Sequence, residues 1–232
     1  MIDETVREQP PRDAEREASA AHVERLFSEA GAYREGHFKL KSGRHSDRYV
    51  EKFQVLQWPN AVTELCRLLA DHAWEPGGKP AVDVVVGPTT GGVILAYEVA
   101  RQLGVRGIFA EQVTGADGKP QRALRRGFQI APGERVLLVD DVVTTGASLQ
   151  EMVPVIEEAG GQLVATVVLV DRSGGLGEVV STASGRRYPA EALWTLNLPT
   201  YEAGPETCPG CAAGLQLEAP GSSGAAGEPA GS

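Results

Sequence analysis

The chain is poor in several things, and each shortage removes a class of function. Three cysteines in 232 residues, Cys66, Cys208 and Cys211, are too few for a disulfide framework, so a reducing, cytoplasmic location is expected. No apolar run approaches the length needed to cross a membrane, and residues 1–20 lack the apolar core of a secretory signal. Basic residues are also scarce. The formal net charge is −9, of which residues 1–20 contribute −3 and residues 202–232 contribute −4, leaving −2 for residues 21–201. The acidity therefore lies in the ends, and nothing forms the basic footprint of a nucleic-acid binder. There is no Gly-Lys-Ser/Thr phosphate loop, no spaced-glycine dinucleotide fingerprint and no convincing nucleophile constellation.

What is present is concentrated in Arg135 to Ser148, RVLLVDDVVTTGAS. Val136, Leu137, Leu138 and Val139 form a short apolar run suited to a strand covered on both faces. Asp140 and Asp141 follow at its carboxyl end, where ligands bind in open α/β sheets. Thr144, Thr145, Gly146, Ala147 and Ser148 supply small side chains, hydroxyls and closely spaced amides at the start of a helix, which favours an anion. Loop and carboxylates together call for a ligand with a phosphate and with a metal or a diol. The plain structural alternative is a strand–turn–helix unit with Asp and Thr as caps. Two adjacent carboxylates with no cation or hydroxyl partner would repel each other, which weighs against it.

VLLVDDVVTTGAS resembles the phosphoribosyl-pyrophosphate signature of the type I phosphoribosyltransferases. The resemblance implies that Asp140 and Asp141 meet the ribose hydroxyls. Thr144, Thr145, Gly146, Ala147 and Ser148 would then make the 5′-phosphate cradle, with Val142 and Val143 also among the substrate-binding residues. Three further segments are similar to the orotate branch of that family. In GHFKLKSGRHSDRY, Lys41 would approach the ligand and Tyr49 would lie near the orotate pocket. In VVVGPTTGG, Thr90 and Gly91 would belong to the turn that receives pyrophosphate. In LVDRSGG, Arg172 would contact the orotate carboxylate, a role that suits its planar two-donor fork. Taken alone, Arg172 has an ordinary alternative as a salt-bridge partner of Asp171 or another acid. Lys41 and Arg44 have one as solvated loop charges. His45 reads as a loop or surface histidine, with neither proton transfer nor metal binding indicated by its neighbours.

The segment Glu111 to Gly127, with three glycines and four basic residues after Gly118, reads as a long mobile loop. The resemblance implies that such a loop closes over the site, often from a partner subunit of a homodimer, and brings a lysine to the pyrophosphate. Lys119 is the nearest match, with Arg122, Arg125 and Arg126 as helpers or substitutes. The family pattern Lys-x-x-Lys-x-His is not kept here. The resemblance further implies Mg²⁺ as cofactor, carried mainly by the cosubstrate rather than by direct protein ligands. Orotate and phosphoribosyl pyrophosphate are the expected partners, with catalytic roles for Lys119, Asp140 and Asp141. A non-catalytic regulator that binds the same cosubstrate, and an enzyme for another base, are the competing readings.

Strands and helices alternate between polar ends, which argues a parallel sheet covered on both sides. The fold class expected is α/β, a type I phosphoribosyltransferase fold with a mainly parallel central sheet, flanking helices and a small N-terminal hood. Residues 1–20 are expected to be a disordered or loosely helical extension, 21–211 one domain with its hood at about 21–60, and 212–232 a flexible tail. Helices are expected over 21–30, 61–72, 93–103 and 147–159, the last kinked at Pro154. Strands are expected over 82–86, 105–110, 136–139 and 163–170. Cys208-Pro-Gly-Cys211 offers two metal ligands where a structural zinc needs four, and no His or second Cys pair lies near in sequence. A local structural role is favoured for it, with metal shared in an oligomer as the lesser reading.

Overall fold

Val84 to Val86 and Val136 to Val139 are apolar at every position, and both become strands at the centre of the sheet with no residue exposed. A computed structural model gives the fold and describes residues 12–40, 42–115, 118 and 120–220. The first elements in the chain are α1 (Arg12–Glu29), β1 (Tyr33–Lys39), β2 (His45–Val50), α2 (Phe53–Leu56) and α3 (Pro59–Ala70). Then come β3 (Trp74–Glu75), β4 (Lys79–Pro80), β5 (Val84–Pro88), α4 (Gly91–Leu103), β6 (Arg106–Thr114) and β7 (Pro120–Leu124). The last are β8 (Arg135–Val143), α5 (Ala147–Glu158), β9 (Gln162–Asp171), β10 (Glu178–Val180), β11 (Arg187–Thr195) and α6 (Pro209–Ala212).

The main sheet has the order β10-β11-β9-β8-β5-β6-β7. Its five inner strands pair in parallel, and β7 and β10 close the two edges antiparallel. Side chains alternate between two cores. Val85, Leu137, Val139 and Leu169 pack with Leu65, Leu69 and Leu95 on one face. Val84, Val86, Val136, Leu138 and Val168 pack with Leu149, Met152 and Ile156 on the other. From β5 the chain proceeds outward to β6, and from β8 it proceeds the other way to β9. The strand order therefore reverses between β5 and β8, and a crevice opens at their carboxyl ends, the usual ligand position in such sheets. Both phosphate-type motifs of the sequence end there.

Several boundaries differ from the sequence expectation. Helix α1 begins at Arg12 rather than near Ala21, and its Arg16 reaches Glu191 at 3.2 Å. Its first turns are Ala- and Glu-rich, so they are good helix formers without an apolar stripe to announce them. Strand β8 runs to Val143, which puts Asp140 and Asp141 inside the strand rather than after it. The expected long loop is a hairpin: β6 and β7 pair from Ala110–Leu124 to Thr114–Pro120. Its charged edge strands look like loop by composition. Helix α5 does continue through Pro154 as expected, because Leu149, Met152, Val153 and Ile156 keep its apolar face buried on both sides of the proline. The hood hairpin β1–β2 and the edge pair β10–β11 carry too much charge to be legible as strands. Residues 214–220, expected to be loose, lie along that hood hairpin, with Glu218 bridging to Phe38. Among the described residues, no helix is long and apolar enough to cross a membrane.

Candidate active site at the switch between β5 and β8

Asp140 and Asp141 are only 5% and 2% exposed, and each oxygen has a distinct environment. Asp140 accepts from the Ser148 hydroxyl at 2.8 Å and from the Asp141 amide at 2.8 Å. Asp141 accepts from Lys52 Nζ at 2.8 Å and from the Val142 amide through Oδ1, while its Oδ2 is buried with no partner. Burial, and then the charge of Asp141, push the Asp140 carboxyl up to about 6. The pair is thus held by a hydroxyl and by a counter-cation that the sequence did not flag. Lys52 sits in no motif, and its role follows only from the fold bringing the N-cap of α2 to Asp141.

The loop after β8 stays open. Thr144, Thr145 and Ala147 are exposed, Gly146 caps α5 at φ +78°, and the first-turn amides of α5 have no partner within the helix. The Ser148 hydroxyl turns inward to Asp140, so its contribution to an anion would come from its amide. Across the crevice, the turn from β5 to α4 is equally tight. A Cβ on Gly91 would lie 1.7 Å from Asp141 Oδ2, and one on Gly87 would lie 2.2 Å from the Gly92 carbonyl oxygen. Glycine is required at 91 because the acidic pair leans against it. Thr90 stands at the N-cap of α4. Arg122, one of the expected helpers, is instead a strut: it donates to the carbonyl and hydroxyl oxygens of Thr89 at 3.1 Å each and pairs with Glu151 at 3.2 Å.

Arg172 follows β9 and sits beside the end of β8, its amide donating to the Val143 carbonyl at 2.8 Å. The salt bridge with Asp171 does not form. Asp171 is committed to its own turn, accepting from the Ser173 amide and hydroxyl at 2.7 and 2.6 Å and from the Leu176 amide at 2.8 Å. Arg172 keeps a buried Nε without any partner, and its burial pushes its pKa below the ordinary guanidinium value. Tyr49 interacts electrostatically with it. Tyr49 also borders a cavity of about 650 Å³ lined by Gly31, Arg34, Glu51, Phe53 and Pro220. A larger groove of about 870 Å³ between α1 and β11 is lined by Arg16, His22, His72 and Glu191, and contains none of these groups.

Of the other expected ligands, Arg125 is exposed, and Arg126 pairs with Glu111 at 2.5 Å in a positive-φ conformation. Lys41 and Lys119 lie outside the described residues. Arg44 is held by Thr200 and Glu202 rather than being a free loop charge. His45 is 5% exposed, packed against His37, Cys208 and Cys211, so the expectation of a surface histidine is corrected. Its partners are remote in sequence, and local context could not have revealed them.

A paired-carboxylate strand end, a small-residue anion loop and a second glycine-rich turn across a switch point define a phosphoribosyltransferase site. The phosphoribosyl transferase domain family matches residues 53–186. The chain is 46% identical over 197 residues to the orotate phosphoribosyltransferase of Pelotomaculum thermopropionicum, spanning 85% of this chain and 94% of that protein. To the enzyme of the same name from Thermotoga maritima it is 41% identical over 206 residues, spanning 87% and 98%. Among solved structures, the orotate phosphoribosyltransferase of Aeropyrum pernix is 26% identical with a TM-score of 0.56, over 75% of this chain and 93% of that one. An adenine phosphoribosyltransferase from Trypanosoma brucei, 18% identical with a TM-score of 0.55 over 75% of this chain and 79% of that one, shares the fold. The chain belongs to the phosphoribosyltransferase family, and within it to the orotate phosphoribosyltransferases.

Proposed function

We propose that this protein transfers the phosphoribosyl group of 5-phosphoribosyl 1-pyrophosphate to N1 of orotate, releasing pyrophosphate and orotidine 5′-monophosphate. The observation that carries the acceptor is Arg172, a half-buried guanidinium with an unpartnered Nε beside Tyr49. A planar anionic pyrimidine needs an aromatic wall and a fixed two-donor cation, and these residues supply both. Asp140 and Asp141 hold the ribose hydroxyls, and the amides from Thr144 to Ser148 hold the 5′-phosphate at the helix end. The C1′ carbon becomes cationic as pyrophosphate departs, and the buried carboxylates lie on the side where that charge develops. The β5–α4 turn, braced by Arg122, receives the leaving group, with Lys119 and Arg125 as the basic residues that would neutralise it. Mg²⁺ on the cosubstrate would neutralise the leaving pyrophosphate. The unpartnered Asp141 Oδ2 suits the oxygen chemistry of that ion or of a ribose diol.

The reading extends to a homodimer that shares the β6–β7 hairpin, supported by Trp58 at the N-cap of α3 and Tyr97 on α4, 56% and 69% exposed. A cytoplasmic location is supported by three cysteines that are all unpaired. The test is an absorbance assay with purified protein, phosphoribosyl pyrophosphate, Mg²⁺ and orotate. Turnover with orotate and none with uracil or hypoxanthine is expected. Retained cosubstrate binding without turnover would overturn the proposal in favour of a regulator, and turnover with another base would reassign the acceptor.

A further inference from the structure

The four side chains His37, His45, Cys208 and Cys211 come from three separate elements, yet their ligand atoms all lie within 4.8 Å of one another. His37 and His45 stand on the two strands of the hood hairpin, and the cysteines flank the short turn of α6. His37 Nε2 is 2.9 Å from His45 Nδ1, 3.4 Å from Cys208 Sγ and 3.5 Å from Cys211 Sγ. Cys211 Sγ is 3.3 Å from His45 Nδ1. We propose that these residues bind one structural Zn²⁺ that clamps the C-terminal segment onto the hood hairpin.

The spacing matches the ion. Tetrahedral zinc with Zn–S of about 2.3 Å and Zn–N of about 2.0–2.1 Å holds its S and N ligands about 3.5 Å apart and two N ligands about 3.3 Å apart. Two thiolates with two imidazoles select zinc over hard cations, which take oxygen. The tautomer is set as well. His37 Nδ1 lies 3.0 Å from the Leu215 carbonyl, which can only accept, so Nδ1 carries the proton and Nε2 presents its lone pair inward. His37, His45 and Cys208 are 4%, 5% and 2% exposed, so the site is closed as a structural zinc requires. The backbone is shaped to it: a Cβ on Gly210 would fall 2.5 Å from the His37 ring, so only glycine lets the Cys-Pro-Gly-Cys turn approach. A Cys208–Cys211 disulfide would use the sulfurs but leave two buried imidazoles converging on nothing.

The clamp has a mechanical consequence. His45 exchanges both backbone hydrogen bonds with Tyr201, and residues 37 and 39 bond Glu218 through N–H···O distances of 2.7–2.8 Å. The hairpin is thus bracketed on both edges by the segment that carries the cysteines. The same hairpin carries Tyr49 and Phe38, whose rings pack together. The ion would tie these to the rest of the domain in a hood with few apolar side chains of its own.

The test uses the untagged full-length protein purified without chelator. We expect one zinc per chain by elemental analysis, released when the thiols are mercurated. Cobalt substitution should give the visible bands of tetrahedral thiolate-ligated Co²⁺. Cys208→Ser and Cys211→Ser should each bring metal content to background, whereas Cys66→Ala should leave it at one per chain. The cobalt spectrum of the unmodified chain reads the ligand set without relying on variants that may not fold. Background metal in the unmodified protein, a Cys208–Cys211 disulfide by mass spectrometry, or cobalt bands lacking thiolate character would each overturn the proposal.

Discussion

Arg172→Ala separates binding from stability in a way that few substitutions in a protein interior do. Removing one member of a buried, hydrogen-bonded charge pair costs about 2–5 kcal/mol in binding, much of it from the charge left behind. Here the orotate carboxylate would be left behind only in the complex, and Arg172 is half-buried, so the lower part of that range applies. About 2–3 kcal/mol corresponds to about a 30- to 150-fold loss in kcat/KM for orotate. The KM for phosphoribosyl pyrophosphate should change by no more than about twofold, because Arg172 lies beside β8 and not in its anion loop. Stability runs the other way. In the unliganded protein Arg172 has an unpartnered Nε and no ion pair among the described residues, while Asp171 is fully engaged by Ser173 and Leu176. Truncation therefore orphans no partner, and Tm should hold within about 2 °C or rise.

The assays are steady-state kinetics with each substrate varied in turn, and thermal unfolding without ligands. Arg172→Lys should recover only part of the loss, since an ammonium lacks the two-donor fork. Equal weakening of both substrates, or a fall in Tm of more than about 4 °C, would refute the carboxylate role and return Arg172 to an ordinary structural function.

Three more substitutions probe the acidic pair. Asp140 titrates at about 6 in the fold against about 3.9 when unfolded, so the native state holds the proton more tightly and loses stability as pH rises from about 4 to 6. Asp140→Asn should therefore raise stability at pH 7–8 by on the order of 2 kcal/mol while crippling turnover. That gain should vanish near pH 4, and a destabilised variant at neutral pH by calorimetry would contradict the argument. Lys52→Met removes the cation beside Asp141, so the acid limb of the pH–rate profile should move to higher pH. An unmoved limb would mean that the pair does not govern it. Gly91→Ala must displace Asp141 Oδ2, and about a 100-fold loss of kcat/KM with an unchanged circular dichroism spectrum is expected. Near-normal kinetics would show that the carboxylate position is not needed.

How far the sequence could be read depended on whether the relevant neighbours were local. Strands β5 and β8 announced themselves because burial on both faces makes every residue apolar. Helices α3, α4 and α5 fell within two residues of expectation because an apolar stripe and a glycine or proline boundary mark them. The hood hairpin, YREGHFK and HSDRYV, was illegible as strand because it is rich in charge and its partners include the remote residues 199–220. The same remoteness hid the company of His45. For Arg172 the sequence left open a salt bridge with Asp171 or another acid beside a ligand contact, and the turn-forming hydrogen bonds of Asp171 remove the first of these. Lys52 had no signal at all, since a single lysine gains meaning only from the carboxylate that the fold brings to it.

The site is assembled from groups that the unliganded fold would be better off without. Asp140 is desolvated to the point of holding a proton near pH 6, Asp141 Oδ2 and Arg172 Nε are buried without partners, and Gly91 gives up side-chain packing to admit a carboxylate. Each costs stability in the unliganded state, and on the proposed reading a ligand diol, phosphate or carboxylate would supply the missing partner. Two strands buried on both faces provide the surplus that tolerates this, because their apolar side chains pack into two cores at once. The cost therefore returns as affinity. Binding of phosphoribosyl pyrophosphate should raise Tm by more than its contacts at the exposed Thr144–Ala147 loop would account for, the excess coming from relief of the acidic pair. In Asp140→Asn, where that relief has already been taken, the ligand-induced rise should shrink while the unliganded Tm goes up. A variant that gained in the unliganded state and kept the full ligand shift would show that the two are not the same free energy.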